Sequence, residues 1–236
     1  MKLASLKNGT RDGKLVVVSR DLTRYTDASF LVPTLQAALD NWPRIAPHLE
    51  AMAESLEHGS VPSERFHEHE AASPLPRAYQ SGDGAGVFAG PRDAVNGASD
   101  AIVSAGVAAI SGDLPAGSSA AAANDAVALV MLSATSASGQ AAFSPVAVTV
   151  DELEGVWSSG ALSLPLSVQV GQASAAKPVT ANLANLAASA ASGQALYAGA
   201  IVIGNVDDGL NVKSGQTVRI EMKDKSGHSI FGAIER

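Results

Sequence analysis

Four of the five histidines fall before residue 70, at His48, His58, His67 and His69. The run His67-Glu68-His69-Glu70 alternates imidazole with carboxylate, a pattern that could hold a metal ion because alternate residues of an extended segment share a face. On so charged a stretch the same run reads as a solvated linker, and His58, at the end of a helical pattern, reads as a cation set against the C-terminal helix dipole. Asp93, Asp100, Asp113 and Asp125 could serve a hard cation. Each also stands where an Asp commonly serves a turn or a helix start, Asp113 within Ser111-Gly112-Asp113. The glycine-rich stretch 80–90 (QSGDGAGVFAG) would cradle a phosphate only between a strand and a helix, and Pro91-Arg92-Asp93 follows it instead. No Gly-x-Ser-x-Gly elbow occurs, and Ser144 precedes Pro145 in an ordinary extended segment.

The elements that would position such groups are readable in order. Residues 1–22 alternate as a hairpin with its turn at Asp12-Gly13. A helix begins after Thr34, a plausible N-cap, and a second spans about 45–58, where Ile45, Leu49, Met52, Ala53 and Leu56 recur at helical spacing and Gly59 stops it. Residues 101–110 form a buried-strand pattern, 118–127 a short helix, and 129–132 a core strand. Thr149 and Glu152 stand at capping-box distance. Residues 162–170 (LSLPLSVQV) alternate strictly, with Pro165 arguing for an edge position. Residues 182–191 read as a helix, 198–204 as a short strand, and the closing TVRIEMKDKSGHSIFGAIE as two strands joined at Lys225-Ser226-Gly227.

Composition narrows the function classes. The formal charge of -7 and a pI near 5.1, with no Lys/Arg cluster, argue against nucleic-acid binding. Cysteine is absent, which fits a reducing, cytoplasmic setting. No apolar run approaches the roughly 18 residues needed to span a bilayer, so no membrane partner is expected. Residues 1–79 carry 19 charged side chains and residues 80–210 only 12, of which Arg92 and Lys177 alone are basic. The middle is correspondingly rich in Ala, Ser and Gly, the composition of a degenerate homologue, an engineered chain, or an incomplete reading of an active enzyme in which functional side chains appear as small residues.

Five segments in order, LASLKNGTRDGKLVVVSRDL, LQAALDNWPRIAPHLEAM, ISGDLPAG, AFSPVAVTVDEL and GQTVRIEMKDKSGHSIFGAIE, resemble the fumarylacetoacetate hydrolase family, its bacterial members in particular. The resemblance implies an α+β chain: a small N-terminal α/β module (1–79) followed by a β-rich mixed-sheet domain (80–236), assembled as a homodimer. It implies metal-dependent C–C hydrolysis of fumarylacetoacetate or acylpyruvate-type diketo acids, with relatives that decarboxylate, isomerise or hydrate related 2-keto acids. Mg²⁺, Mn²⁺ or Ca²⁺ would be held by carboxylates, polarising the keto acid, while a His and an acid activate water.

Carried over residue by residue, the family's Glu-x-Glu metal pair falls on Ser104 and Gly106, its metal-binding Asp on Thr135, and its Lys near Ser138. The loop bearing the catalytic His has no counterpart between Tyr79 and Gly90. The chain as written therefore lacks the metal ligands and the catalytic groups. Besides the ancestral hydrolase, it can be read as a catalytically inactive dimeric scaffold of the same fold or as an incomplete sequence of an active enzyme. If the register is right, Ser104→Glu, Gly106→Glu and Thr135→Asp together are expected to restore divalent-metal affinity.

Overall fold

The computed structural model describes residues 1–81, 84–93, 101–136, 139–206, 209–213 and 216–235. The chain opens with β1 (Lys2–Leu6), β2 (Lys14–Val18), β3 (Arg24–Asp27), α1 (Leu35–Leu39), α2 (Trp42–Glu57), β4 (Glu64–Arg65), β5 (Arg77–Ser81) and β6 (Gly84–Val87). It continues through β7 (Ala101–Ser111), α3 (Ala120–Ala126), β8 (Val127–Ser136), β9 (Ala141–Phe143), β10 (Ala147–Val148), β11 (Trp157–Ser158), β12 (Ala161–Val170) and β13 (Ala173–Asn182). The last elements are α4 (Leu183–Ala190), β14 (Ala200–Asn205), β15 (Leu210–Val212), β16 (Val218–Met222) and β17 (Ile234–Glu235). Among the described residues no helix is long and apolar enough to cross a membrane.

Two sheets carry these strands. The larger runs β4-β3-β2-β1-β10-β8-β7-β14-β5-β6, with β15 added to β7 and β9 to β8; the smaller runs β11-β12-β16-β17, with β13 on β12. Among the described strands pairing is antiparallel except between β14 and β5, where Ile201 faces Ser81 in a parallel register; an isolated parallel bridge also joins Ala89 to Ala142. This is the α+β, β-rich mixed-sheet fold expected from the sequence. The β1–β10 pairing places strands from residues 1–79 and 80–236 in one sheet.

The period of two in the strands sorts side chains into two cores. Ala4 and Leu6 of β1, Val107 and Ala109 of β7, and Leu132 of β8 pack against Leu162, Leu164, Ile220 and Met222 of the smaller sheet. The alternate residues Leu3, Ala108, Ile110, Leu129 and Met131 pack with Leu35, Leu39, Leu49 and Leu56 of α1 and α2. α3 and α4 close a third, smaller cluster around Leu114 and Leu196.

Local signals mostly act as their chemistry requires. Gly13 takes φ +68° in the first hairpin, a left-handed conformation that glycine adopts without strain. Thr34 caps α1, its hydroxyl oxygen accepting from the Ala37 N–H at 3.2 Å. The second helix starts earlier than the spacing from residue 45 suggests: α1 ends at Leu39, Asn41 stands at the N-cap of α2, and α2 begins at Trp42 with Pro43 in the first turn, where its missing N–H costs nothing.

The glycine-rich stretch is partly strand, β5 and β6 forming a hairpin. Three expectations need correction. Thr149 precedes a 3₁₀ turn over Val150–Leu153 without making a side-chain cap bond; its hydroxyl oxygen accepts from the Met1 ammonium, and Glu152 pairs with Arg20 at 3.1 Å. β12 is interior rather than edge, flanked by β13 on one side and by β11 and β16 on the other. Pro165 is tolerated because it falls in the gap between the β11 pairs, which reach residue 162, and the β16 pairs, which begin at Leu166. The closing segment does turn at Lys225-Ser226-Gly227, where Lys223 bridges to Ser229, but its second strand is short, pairing Arg219 with Glu235 and Ile220 with Ile234 after an irregular stretch.

Candidate functional site

β7 and β8 bring together the positions singled out by register. Ser104 and Gly106 lie on one face of β7, two residues apart, and Ser104 is paired directly with Thr135 of β8. Gly106 is paired with Ser133 of β8 and, on its other side, with Asn205 of β14. The same face continues into Ala108, Met131, Ile110 and Leu129 of the core under α1 and α2. Beside it β9 sets Ala141 against Thr135 and Phe143 against Ser133. The constellation thus sits at the rim of an apolar core, where an ionic group would feel a low dielectric. Ser138 lies outside the described residues.

The side chains present are neutral. Ser104 and Thr135 are half-buried and Ser133 is fully buried. The Ser133 and Thr135 hydroxyl oxygens are buried with no hydrogen-bond partner, an arrangement that costs about 1–3 kcal/mol for each unpaired polar group. Ser133 and Asn205 belong to this cluster and were not singled out from the sequence. The only signal for them was strand register, since a Ser at 133 shares the parity of Thr135.

Gly106 decides the geometry. A Cβ built there would overlap the Gly204 carbonyl oxygen of β14 and stand 3.0 Å from Ser133 Oγ and 3.1 Å from Asn205 Cα. The glycine is what lets β14 lie so close, the use of glycine where another backbone approaches. A hard divalent cation requires several oxygen ligands, with carboxylates offsetting its charge. Here two of the three family positions carry neutral hydroxyls, and the third has no side chain and no room for one. Among the described residues no group of three His, Cys, Asp or Glu could hold a metal ion. The residues at the register positions therefore do not fit the ion.

The other chemistry-bearing residues have structural work. Asp113 Oδ1 accepts from the Ala198 N–H at 2.9 Å. Asp93 Oδ1 lies 2.6 Å from Lys7 Nζ, while Oδ2 accepts from the Gly90 N–H. Asp125 lies in α3, where Asn124 Nδ2 donates to it at 3.3 Å; Asp100 is outside the described residues. Ser144 is fully buried and bridges backbone, its oxygen accepting from the Leu132 N–H at 3.0 Å and its hydroxyl donating to Val146 O at 2.9 Å. His67 and His69 flank the start of a 3₁₀ turn over Glu68–Glu70 with rings 5.4 Å apart. His58 ends α2, its Nδ1 2.8 Å from Glu54 O.

Comparisons with known proteins agree with this architecture. Residues 1–77 match the family model described as fumarylacetoacetase N-terminal domain 2. Among solved structures, maleylpyruvate hydrolase from Sphingobium sp. SYK-6 in complex with manganese (II) ion and pyruvate superposes with a TM-score of 0.69 at 17% identity, over 100% of this chain and 97% of that one. Fumarylacetoacetate hydrolase from Exiguobacterium antarcticum gives 0.67 at 12% identity over 100% and 98%. A probable 2-hydroxyhepta-2,4-diene-1,7-dioate isomerase from Mycobacterium abscessus gives 0.67 at 13% identity over 100% and 97%. No curated protein sequence matches the chain. The resemblance to the fumarylacetoacetate hydrolase family is thereby borne out, in sequence over the N-terminal 77 residues and in fold over the whole chain.

Proposed function

We propose that this chain, which has the fumarylacetoacetate hydrolase fold throughout, descends from metal-dependent hydrolases of fumarylacetoacetate or acylpyruvate-type diketo acids and now serves as a catalytically inactive homodimeric scaffold in the cytoplasm. The observation that carries the reading is the closure of β14 over Gly106: the side-chain volume a metal-binding carboxylate would need holds the Gly204 carbonyl. Ser104 and Thr135 supply hydroxyls where a Mg²⁺, Mn²⁺ or Ca²⁺ site would need charge. The homodimer is supported by large apolar side chains left in solvent, among them Tyr79 of β5 and Val87 of β6, 78% and 79% exposed, the kind of surface that marks an interface.

One observation favours a second reading, a retained hydrolase or isomerase. The Ser133 and Thr135 oxygens are buried and unpartnered side by side, and a small 2-keto acid could use them as donors. Two measurements on the purified protein separate the readings: calorimetric titration with Mg²⁺ and Mn²⁺, and turnover of an acylpyruvate. The scaffold reading expects no metal heat, no turnover and a dimer in sedimentation. Turnover that depends on added metal sinks it, whereas metal-independent turnover abolished by Thr135→Val supports the second reading.

A further inference from the structure

The first residue of β1 is a lysine whose alternation with Ala4 and Leu6 turns it inward. Lys2 is only 5% exposed. Its Nζ donates to Ile230 O at 2.7 Å and to Ser229 O at 3.3 Å, in the connection between β16 and β17. Among the described residues no carboxylate lies within ion-pair distance of it. Two carbonyl acceptors match the two N–H bonds of a neutral amine and leave its lone pair unused. Lys2 also forms part of the wall of a cavity of about 290 Å³, together with Arg20, Glu152, Asp224, Lys225 and Ser229. An adjoining cavity of about 450 Å³ shares Lys2, Arg20 and Glu152. The Ser229 hydroxyl oxygen is buried without a hydrogen-bond partner, leaving a polar atom free for a guest.

We propose that Lys2 is the amine of a covalent site that captures small uncharged aldehydes as imines in this cavity. The nitrogen lone pair adds to the aldehyde carbon, and the displaced π pair takes a proton on oxygen. That oxygen then leaves as water with the second amine hydrogen, so one C–N double bond forms, one C–O double bond is lost, and nothing is oxidised or reduced. With the Lys2 amine neutral, the wall sets Arg20 and Lys225 against Glu152, Glu154 and Asp224, with His228 beside them. That lining offers no excess of positive charge to hold an anionic guest, which is why the class is uncharged.

The electrostatics favour the reactive form. Burial pushes the Lys2 amine down to about 8, against the opposing pull of the Glu152, Asp224, Asp21 and Glu57 carboxylates. Glu152 is already engaged by Arg20 and by the Met1 ammonium, at 3.1 and 3.2 Å, and Asp224 accepts from the Ser226 and His228 backbone N–H groups. At pH 7.4 the neutral fraction is roughly two hundredfold that of a lysine at its ordinary value.

The experiment is reductive labelling of the intact protein with propanal and cyanoborohydride at pH 7.4, followed by peptide mapping. Lys2 is expected to be alkylated on the order of tenfold faster than the exposed Lys177, with a rate that levels off above about pH 8. Lys2→Arg should abolish that label and leave the other lysines unchanged. Should Lys2→Arg fail to fold, the wild-type pH profile decides by itself. Labelling of Lys2 no faster than Lys177, or label found on the Met1 α-amine instead, overturns the proposal.

Discussion

Gly106→Ala tests the close approach of β14 to β7 directly. The added methyl would overlap the Gly204 carbonyl, with Ser133 Oγ at 3.0 Å and Asn205 Cα at 3.1 Å. Overpacking a tight site costs about 1–3 kcal/mol. Gly106 faces Asn205, the last residue of β14, so the strand end can lift and hold the cost near the lower half of that range. For a chain of this length each kcal/mol lowers Tm by about 2–4 °C, which gives a fall of roughly 2–8 °C. Ser104→Ala, at a half-buried position on the same strand, is the control and should change stability by less than about 0.5 kcal/mol. Thermal unfolding supplies the magnitude, and hydrogen exchange supplies the location. Just beyond β14 the Val206 N–H donates to Ala105 O at 3.1 Å, and its protection should fall in Gly106→Ala alone. Adding Gly106→Glu to Ser104→Glu/Thr135→Asp should lower Tm further and expose the same amide. A gain in Mn²⁺ affinity with the Val206 amide still protected would show that the space above Gly106 is not filled, and the reasoning would be wrong.

Two further outcomes follow from single side chains. Ser144→Ala removes the acceptor of the Leu132 N–H and the donor to Val146 O; the groups left unpaired should cost about 1–3 kcal/mol in urea denaturation, and a loss below about 0.5 kcal/mol would contradict the bridging role. The Lys2 amine, at about 8 in the folded chain against 10.5 ordinarily, binds fewer protons folded than unfolded between those values, so its contribution to stability rises with pH across that window. Relative to Lys2→Met, the wild type should gain about 2 kcal/mol between pH 7.5 and 9.5. That interval lies below the titration of Tyr25, which burial and its bond to Glu64 push up to about 12. A flat difference between the two proteins would refute the buried-amine description.

Sequence by itself determined the elements whose cause is local. The Asp12-Gly13 turn, the Thr34 cap and the strands read at 101–110 and 129–132 all depend on a few neighbouring residues, and each falls within the element its chemistry implied, the strands extending to Ala101–Ser111 and Val127–Ser136. Strand parity put Ser104 and Gly106 on one face; Thr135 was set beside them by the family resemblance, and the β7–β8 register pairs it with Ser104. β13 left no such trace: its Ala-rich, largely exposed run is held by ladder bonds to β12 rather than by a buried face. Partner identity belonged to the tertiary structure. Only the packing of β14 shows that Gly106 is a contact and not merely a missing carboxylate, and only the β1–β10 pairing and the 223–233 connection show what surrounds Lys2. Its inward turn was legible in the alternation Lys2, Ala4, Leu6, but its two carbonyl partners lie more than 220 residues away. Strand parity can place a side chain on a face; the energy of that placement depends on atoms that only the folded chain brings near.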